Sequence, residues 1–358
     1  MKNNKILIVA GGTGGHISPG IALYQTFKNQ FETYFLTLEK NKNYSEFIKK
    51  NIKPFYYDSP KVSKNFKDIL LFPFKTILAI LKSIKIIKKH KINIIIGLGG
   101  YPTFPALVSG ILLRKNIYLC EQNVIPGNVT KLFSFFANRI FLTFPIDEKK
   151  YPSIAKKSLI TGNPIREELF NIQKELKPKK NVKNIFITGG SQGAKQLNEM
   201  ILNLWRDYPE FSKNYYWTIQ TGISHLEDFK NQIDKIGFKN NIECFGFSTE
   251  IYKYFKKADI LICRAGAGNI TEGILFSLPM ILIPYPFAKD NHQLENAKYI
   301  EKQNAGIIIN TKSTESKELY HQLQKIIKEY DFYKANIEAI KYHKNPADII
   351  KEYIIKDL

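Results

Sequence analysis

A histidine stands directly after a run of glycines near the start of the chain, in Gly11-Gly12-Thr13-Gly14-Gly15-His16, between the apolar run Ile6 to Ala10 and a helix start at Ser18-Pro19. An imidazole titrates near neutrality and can take a proton from a hydroxyl. Glycines at a helix start bare backbone N–H groups to which phosphate or a sugar can bind. A structural hydrogen bond for His16 and a plain tight turn for the glycines are the competing readings. The arrangement recurs. Ile185 to Thr188 runs into Gly189-Gly190-Ser191-Gln192-Gly193, and Ile260 to Cys263 runs into Arg264-Ala265-Gly266-Ala267-Gly268-Asn269-Ile270-Thr271-Glu272. The helix start at Ala267 to Ile270 suits a diphosphate. Glu272, about one turn further in, suits the two hydroxyls of a ribose or else complements the helix dipole. Gly99-Gly100-Tyr101-Pro102 and Glu121-Gln122-Asn123 close two more strand-like runs with polar groups. Several such loops in two matching halves favour a ligand over isolated turns.

Other chemistries fit poorly. Walker A is missing, because Lys195 follows Ala194 where that motif needs a glycine. The first cluster is not GxGxxG, and no acidic residue ends a second strand, so a nicotinamide dinucleotide is not indicated. Cys120, Cys244 and Cys263 lie far apart without CxxC or Cys/His spacing. That argues against a zinc site or a disulfide framework and for a reducing compartment. No DxD-like pair ends a strand in the segments that carry the loops, so neither a metal nor a cofactor is expected.

The candidate residues need a frame that gathers strand ends. The runs Ile6 to Ala10, Thr33 to Thr37, Ile92 to Gly97, Ile117 to Cys120, Ile140 to Thr143, Ile185 to Thr188, Trp217 to Gln220, Ile260 to Cys263 and Met280 to Pro284 are apolar for most of their length. Such runs predict parallel strands covered on both faces, and their alternation with helical stretches predicts a doubly wound α/β architecture. Gly162-Asn163-Pro164, followed by the lysine-rich stretch from Gln173 to Lys183, reads as a hinge, because proline disfavours helix at the residue before it. Two Rossmann-like halves joined near residue 162 are predicted. No short repeat is present, which excludes a solenoid.

The 358 residues include 53 Lys+Arg against 32 Asp+Glu, a formal charge of +21, and 44% are hydrophobic. This is enough for two domains with buried cores and speaks against disorder. Ile6 to Ala10 is too short for a signal-peptide core, and no uncharged run approaches the roughly 18 to 20 residues of a membrane span, so a soluble or surface-bound protein is expected. The charge invites anionic partners without choosing among them, and lysine spread over solvated faces is the alternative. Nucleic acid is disfavoured, since no RRM, KH or zinc module is recognisable. Between Phe66 and Lys91, the cluster Ile69, Leu70, Leu71, Phe72 and Phe74, broken by Pro73, exceeds one core-facing stripe. With Lys75 beside it, the cluster suits a segment dipping into an anionic membrane surface, the competing reading being a stripe packed on the sheet.

Taken in order, Gly11-Gly-Thr-Gly-Gly-His16, Gly99-Gly-Tyr101, Glu121-Gln-Asn123, Gly162-Asn-Pro-Ile-Arg166, Gly189-Gly-Ser-Gln-Gly-Ala194, Cys263-Arg264 through Glu272 and Asp290 to Gln293 resemble the bacterial N-acetylglucosaminyltransferase family commonly called MurG. The resemblance spans almost the whole length. It implies a GT-B fold, two Rossmann-like domains facing across a cleft: an acceptor- and membrane-facing domain over 1–161 and a UDP-GlcNAc-binding domain over 162–341, with a final helix in 342–358 returning to the first. It implies inverting transfer of GlcNAc from UDP-GlcNAc to the MurNAc 4-hydroxyl of lipid I in peptidoglycan synthesis, by a peripheral enzyme on the cytoplasmic face of the bacterial inner membrane. Position by position, it implies that Ser191 and Arg166 meet the phosphates or adjoining sugar, that Glu272 binds the ribose, and that Ala267, Gly268, Asn269 and Ile270 hold the diphosphate. Phe247 and Ser248 fall where uracil is held. Thr13, Asn123 and Gln293 fall around the GlcNAc, with Gly14 and Gly15 on the same donor-binding loop. His16 resembles the residue proposed as general base or as a polar group of the acceptor site. Two departures stand out: Ala265-Gly-Ala-Gly-Asn269 where the family often has Ser-Gly-Ala-Leu-Thr, and His292-Gln293 where a paired glutamine is common. The rival functions are a GT-B transferase acting on a diacylglycerol or lipid A precursor, and a non-catalytic scaffold that binds nucleotide sugars at a membrane.

Overall fold

The computed structural model describes residues 4–12, 14–59, 66–175 and 181–358, with the backbone alone for 66–70. Thr13 and the side chains of Ile69 and Leu70 therefore lie outside the described residues. Among the described residues there are two sheets. The first has seven strands, β1 (Lys5–Val9), β2 (Glu32–Leu38), β3 (Phe55–Tyr57), β4 (Ile94–Gly97), β5 (Asn116–Glu121), β6 (Arg139–Leu142) and β7 (Ser158–Ile160), in the order β3-β2-β1-β4-β5-β6-β7. The second has six, β8 (Asn184–Thr188), β9 (Tyr216–Gln220), β10 (Ile242–Phe245), β11 (Ile260–Cys263), β12 (Met280–Leu282) and β13 (Gly306–Ile308), in the order β10-β9-β8-β11-β12-β13. Every pairing is parallel.

Each sheet begins at its middle, winds to one edge and then winds to the other. The order reverses between β1 and β4 and again between β8 and β11, and loops leaving such neighbours part to opposite faces, which opens a crevice at the carboxyl ends. The nine strands predicted from apolar runs are the nine inner strands. The four that were not predicted, β3, β7, β10 and β13, are the four edges.

The chain divides into two compact units, residues 1–168 with 344–358 and residues 169–343. Alternation along a strand explains why the inner runs are apolar throughout, since successive side chains point to opposite faces. In the first unit Ile6, Ile8, Ile94 and Ile96 meet Ile17, Ile21 and Phe27 of the helix Gly14–Phe27. Leu7, Val9, Ile95 and Leu119 face the other way, onto Ala79, Ile87, Ala106 and Phe133.

The helix Pro346–Lys356 completes the first of these layers with Ala347, Ile350 and Ile354. Asn345 starts it: its Oδ1 accepts from Ala347 N at 3.0 Å and its Nδ2 donates to Ile165 O at 2.9 Å. Arg139 clamps its end, donating from Nε and Nη2 to the two carboxylate oxygens of Asp357, each at 2.6 Å. Ile350 is fully buried, so Ile350→Ala is expected to lower stability by about 2–5 kcal/mol, read as a lower denaturation midpoint in urea.

Pro73 does not break its segment: the helix Phe66–Lys89 runs through it for 24 residues. Ala79, Ser83 and Ile87 turn inward, while Leu71, Phe74, Ile77, Leu78 and Leu81 are exposed, as is Lys75. Phe72 is half-buried.

Candidate functional site

In the first unit, reactive groups gather where the strand order reverses. β1 passes through Gly11 and Gly12 into the helix Gly14–Phe27, so His16 lies in its first turn, half-buried. β4 leaves through Gly99 and Gly100, with φ of +76° and +71°. Glycine alone follows that course without strain, and it spares the imidazole a neighbour. A Cβ on Gly99 would stand 3.8 Å from His16 Cε1, and one on Gly100 would stand 3.5 Å from His16 Nε2. β5 delivers Glu121, Gln122 and Asn123. Gln122 Oε1 lies 3.0 Å from His16 Nδ1. Glu121 is buried, and its carboxylate accepts from Asn123 N at 3.0 Å, Gly127 N at 2.9 Å and Thr130 Oγ1 at 2.5 Å. It organises the loop that carries Asn123.

The second unit has a different equipment at its own reversal. Thr188, the last residue of β8, donates from Oγ1 to Gln220 Oε1 at 2.7 Å and accepts from Gly190 N at 3.0 Å. Gly193 N donates to Gly190 O at 2.9 Å, closing a turn with Ser191 and Gln192 exposed at its tip. One strand across, β11 leads through Arg264 to the helix Ala267–Leu275, with Gly266 as its N-cap. A Cβ added to Gly190, Gly266 or Gly268 would meet no atom within 4 Å. The loops of β8 and β11 thus turn bare backbone toward open space. The first-turn N–H groups of Ala267, Gly268 and Asn269 have no partner within the helix and carry the positive end of its dipole, which suits an anion. Ile270 departs from expectation: its N–H bonds Gly266 O at 3.1 Å and its side chain is buried, so it closes the turn and offers no donor.

Arg264 holds this rim together. Its Nη1 donates to Ile283 O at 3.0 Å and Pro284 O at 3.1 Å, and its Nη2 donates to Gln196 Oε1 at 2.9 Å. One buried guanidinium therefore ties the start of the helix Lys195–Asp207 to the loops after β11 and β12, and that burial pushes its pKa down. Asn269 Nδ2 donates to Arg264 O at 2.9 Å, which is the use found for asparagine at a departure from the family pattern. Gln293, in the helix His292–Lys302, accepts at Oε1 from Tyr285 N at 2.9 Å. Before it, Asp290 and Asn291 both take left-handed backbone, φ +54° and +53°, a conformation Asp and Asn tolerate better than most residues.

Glu272 is half-buried in the same helix as the diphosphate turn. Phe247 follows β10 and is 41% exposed, and Ser248 Oγ accepts from Glu250 N at 3.1 Å. Arg166 sits in the first unit, where its Nη1 donates to Glu46 Oε2 at 2.7 Å and both side chains are 11% exposed. Its placement is set by Glu46. Burial pushes the thiols of Cys120 and Cys263 up, so neither serves as a nucleophile near neutral pH. Thr188 and Gln220 were given no functional part by sequence reasoning, and Gln122 and Arg264 were named only within their motifs, without a role of their own. The usable signal was a polar residue ending or directly following an apolar run, where a buried polar group must find a partner.

Comparison with known proteins follows the same two-part division. Residues 6–142 match the glycosyltransferase family 28 N-terminal domain and residues 184–353 match the glycosyltransferase family 28 C-terminal domain. A UDP-N-acetylglucosamine–N-acetylmuramyl-(pentapeptide) pyrophosphoryl-undecaprenol N-acetylglucosamine transferase of Leptospira interrogans serogroup Icterohaemorrhagiae serovar copenhageni is 36% identical over 333 residues, covering 90% of each chain. A protein of the same name from Prochlorococcus marinus strain MIT 9301 is 32% identical, covering 99% of each chain. The crystal structure of Acinetobacter baumannii MurG superposes with a TM-score of 0.74 at 23% identity, over 98% of this chain and 99% of that one, and shows the shared GT-B fold. With identity above 30% sustained along nine-tenths or more of its length, this chain belongs to the family of UDP-N-acetylglucosamine–N-acetylmuramyl-(pentapeptide) pyrophosphoryl-undecaprenol N-acetylglucosamine transferases.

Proposed function

We propose that the chain moves GlcNAc from UDP-GlcNAc to the MurNAc 4-hydroxyl of lipid I, with inversion at the anomeric carbon, giving lipid II for peptidoglycan. The observation that carries this is the division of equipment: an imidazole at the reversal point of one sheet, and a backbone cradle for an anion at the reversal point of the other. Ala267, Gly268, Asn269 and Ser191 hold the diphosphate, Glu272 the ribose, and Phe247 with Ser248 the uracil. Thr13, Gly14, Gly15, Asn123 and Gln293 surround the sugar, and Arg166 supports the departing phosphate. His16 takes the acceptor proton as the hydroxyl oxygen bonds to the anomeric carbon and UDP leaves with the electrons of the broken bond. Enclosure of the reactants excludes water that would hydrolyse the donor. Helix N-termini stabilise the charge that collects on the leaving group.

Purified protein given UDP-GlcNAc and a soluble lipid I analogue is expected to form the disaccharide. UDP binding without product would support the scaffold reading, and product from a diacylglycerol acceptor alone would support the rival transferase.

We further propose that the enzyme is peripheral on the cytoplasmic face of the membrane, docked by the helix Phe66–Lys89. Among the described residues no helix is long and apolar enough to cross a membrane. The exposed row Leu71, Phe74, Ile77, Leu78 and Leu81 runs beside the exposed Lys75, Lys82 and Lys85, which suits apolar insertion with attraction to anionic headgroups. The double variant Phe74→Glu, Leu78→Glu is expected to weaken binding to phosphatidylglycerol vesicles by at least about tenfold, with turnover of the soluble analogue unchanged. Undiminished vesicle binding would remove this helix from the docking role.

A further inference from the structure

Gln122 is buried at the end of β5 and has two partners. Its Nε2 donates to Cys120 O at 3.2 Å, and its Oε1 lies 3.0 Å from His16 Nδ1. The first contact decides the second. A carbonyl oxygen only accepts, so the amide must present its nitrogen to Cys120, which leaves its oxygen for the imidazole. That oxygen has no proton to give, so the proton of the contact belongs to Nδ1. A neutral imidazole carries a single N–H.

We infer that Gln122 is a positioning residue that holds neutral His16 as the Nδ1–H tautomer, leaving the lone pair on Nε2. This rests on the reading of His16 as the base and specifies which of its atoms acts. Gly100 lies on the Nε2 side of the ring, where an added Cβ would stand 3.5 Å from that nitrogen, in ordinary contact. The neighbouring Glu121 does not compete for the ring, since its oxygens are taken by Asn123 N, Gly127 N and Thr130 Oγ1. In the reaction the acceptor proton moves to Nε2, the oxygen's electron pair forms the bond to the anomeric carbon, and UDP departs with the electrons of the bond that breaks. The imidazolium so formed keeps Nδ1–H on Gln122. A neutral amide stabilises that cation less than a carboxylate would, so the proton is readily released afterwards.

The test is nitrogen NMR on the whole chain with 15N-labelled histidine, above the pH at which the ring titrates, with His16 assigned by the signals lost in His16→Gln. The expected result is a protonated Nδ1 and an unprotonated Nε2 in the wild type. Gln122→Met, of similar length and without an amide, is expected to mix the tautomers and to lower kcat by roughly 10-fold to 100-fold with KM for UDP-GlcNAc unchanged. An Nε2–H tautomer in the wild type, or wild-type kcat in Gln122→Met, overturns the inference. His16→Ala with undiminished turnover would instead overturn the base reading, while the wild-type tautomer, which needs no variant, still reports on Gln122.

Discussion

Replacing His16 by alanine is expected to slow disaccharide formation by about 100-fold to 10,000-fold, the range lost with a general base, while leaving the dissociation constant for UDP where it was. The separation of effects follows from the assignment of groups. His16 lies in the helix that follows β1 and touches Gln122, whereas the groups proposed to hold UDP, Arg166 aside, follow β8, β10 and β11. Turnover measured at saturating UDP-GlcNAc with a soluble lipid I analogue, beside calorimetric titration with UDP, reads the two quantities independently. Turnover within twofold of wild type would take His16 out of the proton transfer. A parallel loss of UDP affinity would make it a donor-site residue.

Gly193→Ala is expected to have the largest effect on the donor side. Gly193 has φ of +74°, and a Cβ there would lie 2.0 Å from Thr221 O and 2.7 Å from Gly222 Cα. Both obstacles are backbone. Thr221 O is itself held by Asn198 Nδ2 at 3.0 Å, so it has little freedom to withdraw. The left-handed conformation alone costs about 1 kcal/mol for an alanine, and relief of the clash must shift the turn from Gly190 to Gly193. A displacement on the order of 1 Å is enough for roughly a 100-fold loss in a positioned site. UDP affinity is expected to fall by that factor, together with a lower melting temperature. Gly190→Ala is the control, with φ of +87° but no atom within 4 Å of the added methyl. If a phosphate approaches that glycine, UDP binding weakens there with only the smaller conformational cost. Unchanged UDP affinity in Gly193→Ala would move the nucleotide away from this turn.

The inner strands were legible because burial on both faces leaves one kind of residue to choose from, as in Ile94-Ile95-Ile96 of β4. The edges were not. β3 is Phe55-Tyr56-Tyr57 and β7 is Ser158-Leu159-Ile160, three residues each, with mixed exposure. A short strand with a neighbour on one side only has no need of an unbroken apolar run. Site loops were legible for a related reason, since glycines at positive φ or at a close approach leave a visible mark. Side-chain partnerships left none. That Glu46 fixes Arg166, that Gln122 faces His16, and that Arg264 reaches Gln196 depends on contacts between residues 68 to 120 positions apart, which no local pattern encodes. Pro73 misled in the opposite direction, because the helix around it tolerates one missing N–H.

The helix Pro346–Lys356 belongs to the unit that otherwise ends at residue 168, and this interleaves the two halves in time. On the ribosome, a nascent chain of about 340 residues already carries nearly everything the second unit needs, while the first still exposes the apolar surface that Ala347, Ile350 and Ile354 will cover. The half made first is thus sealed only after the second has been made.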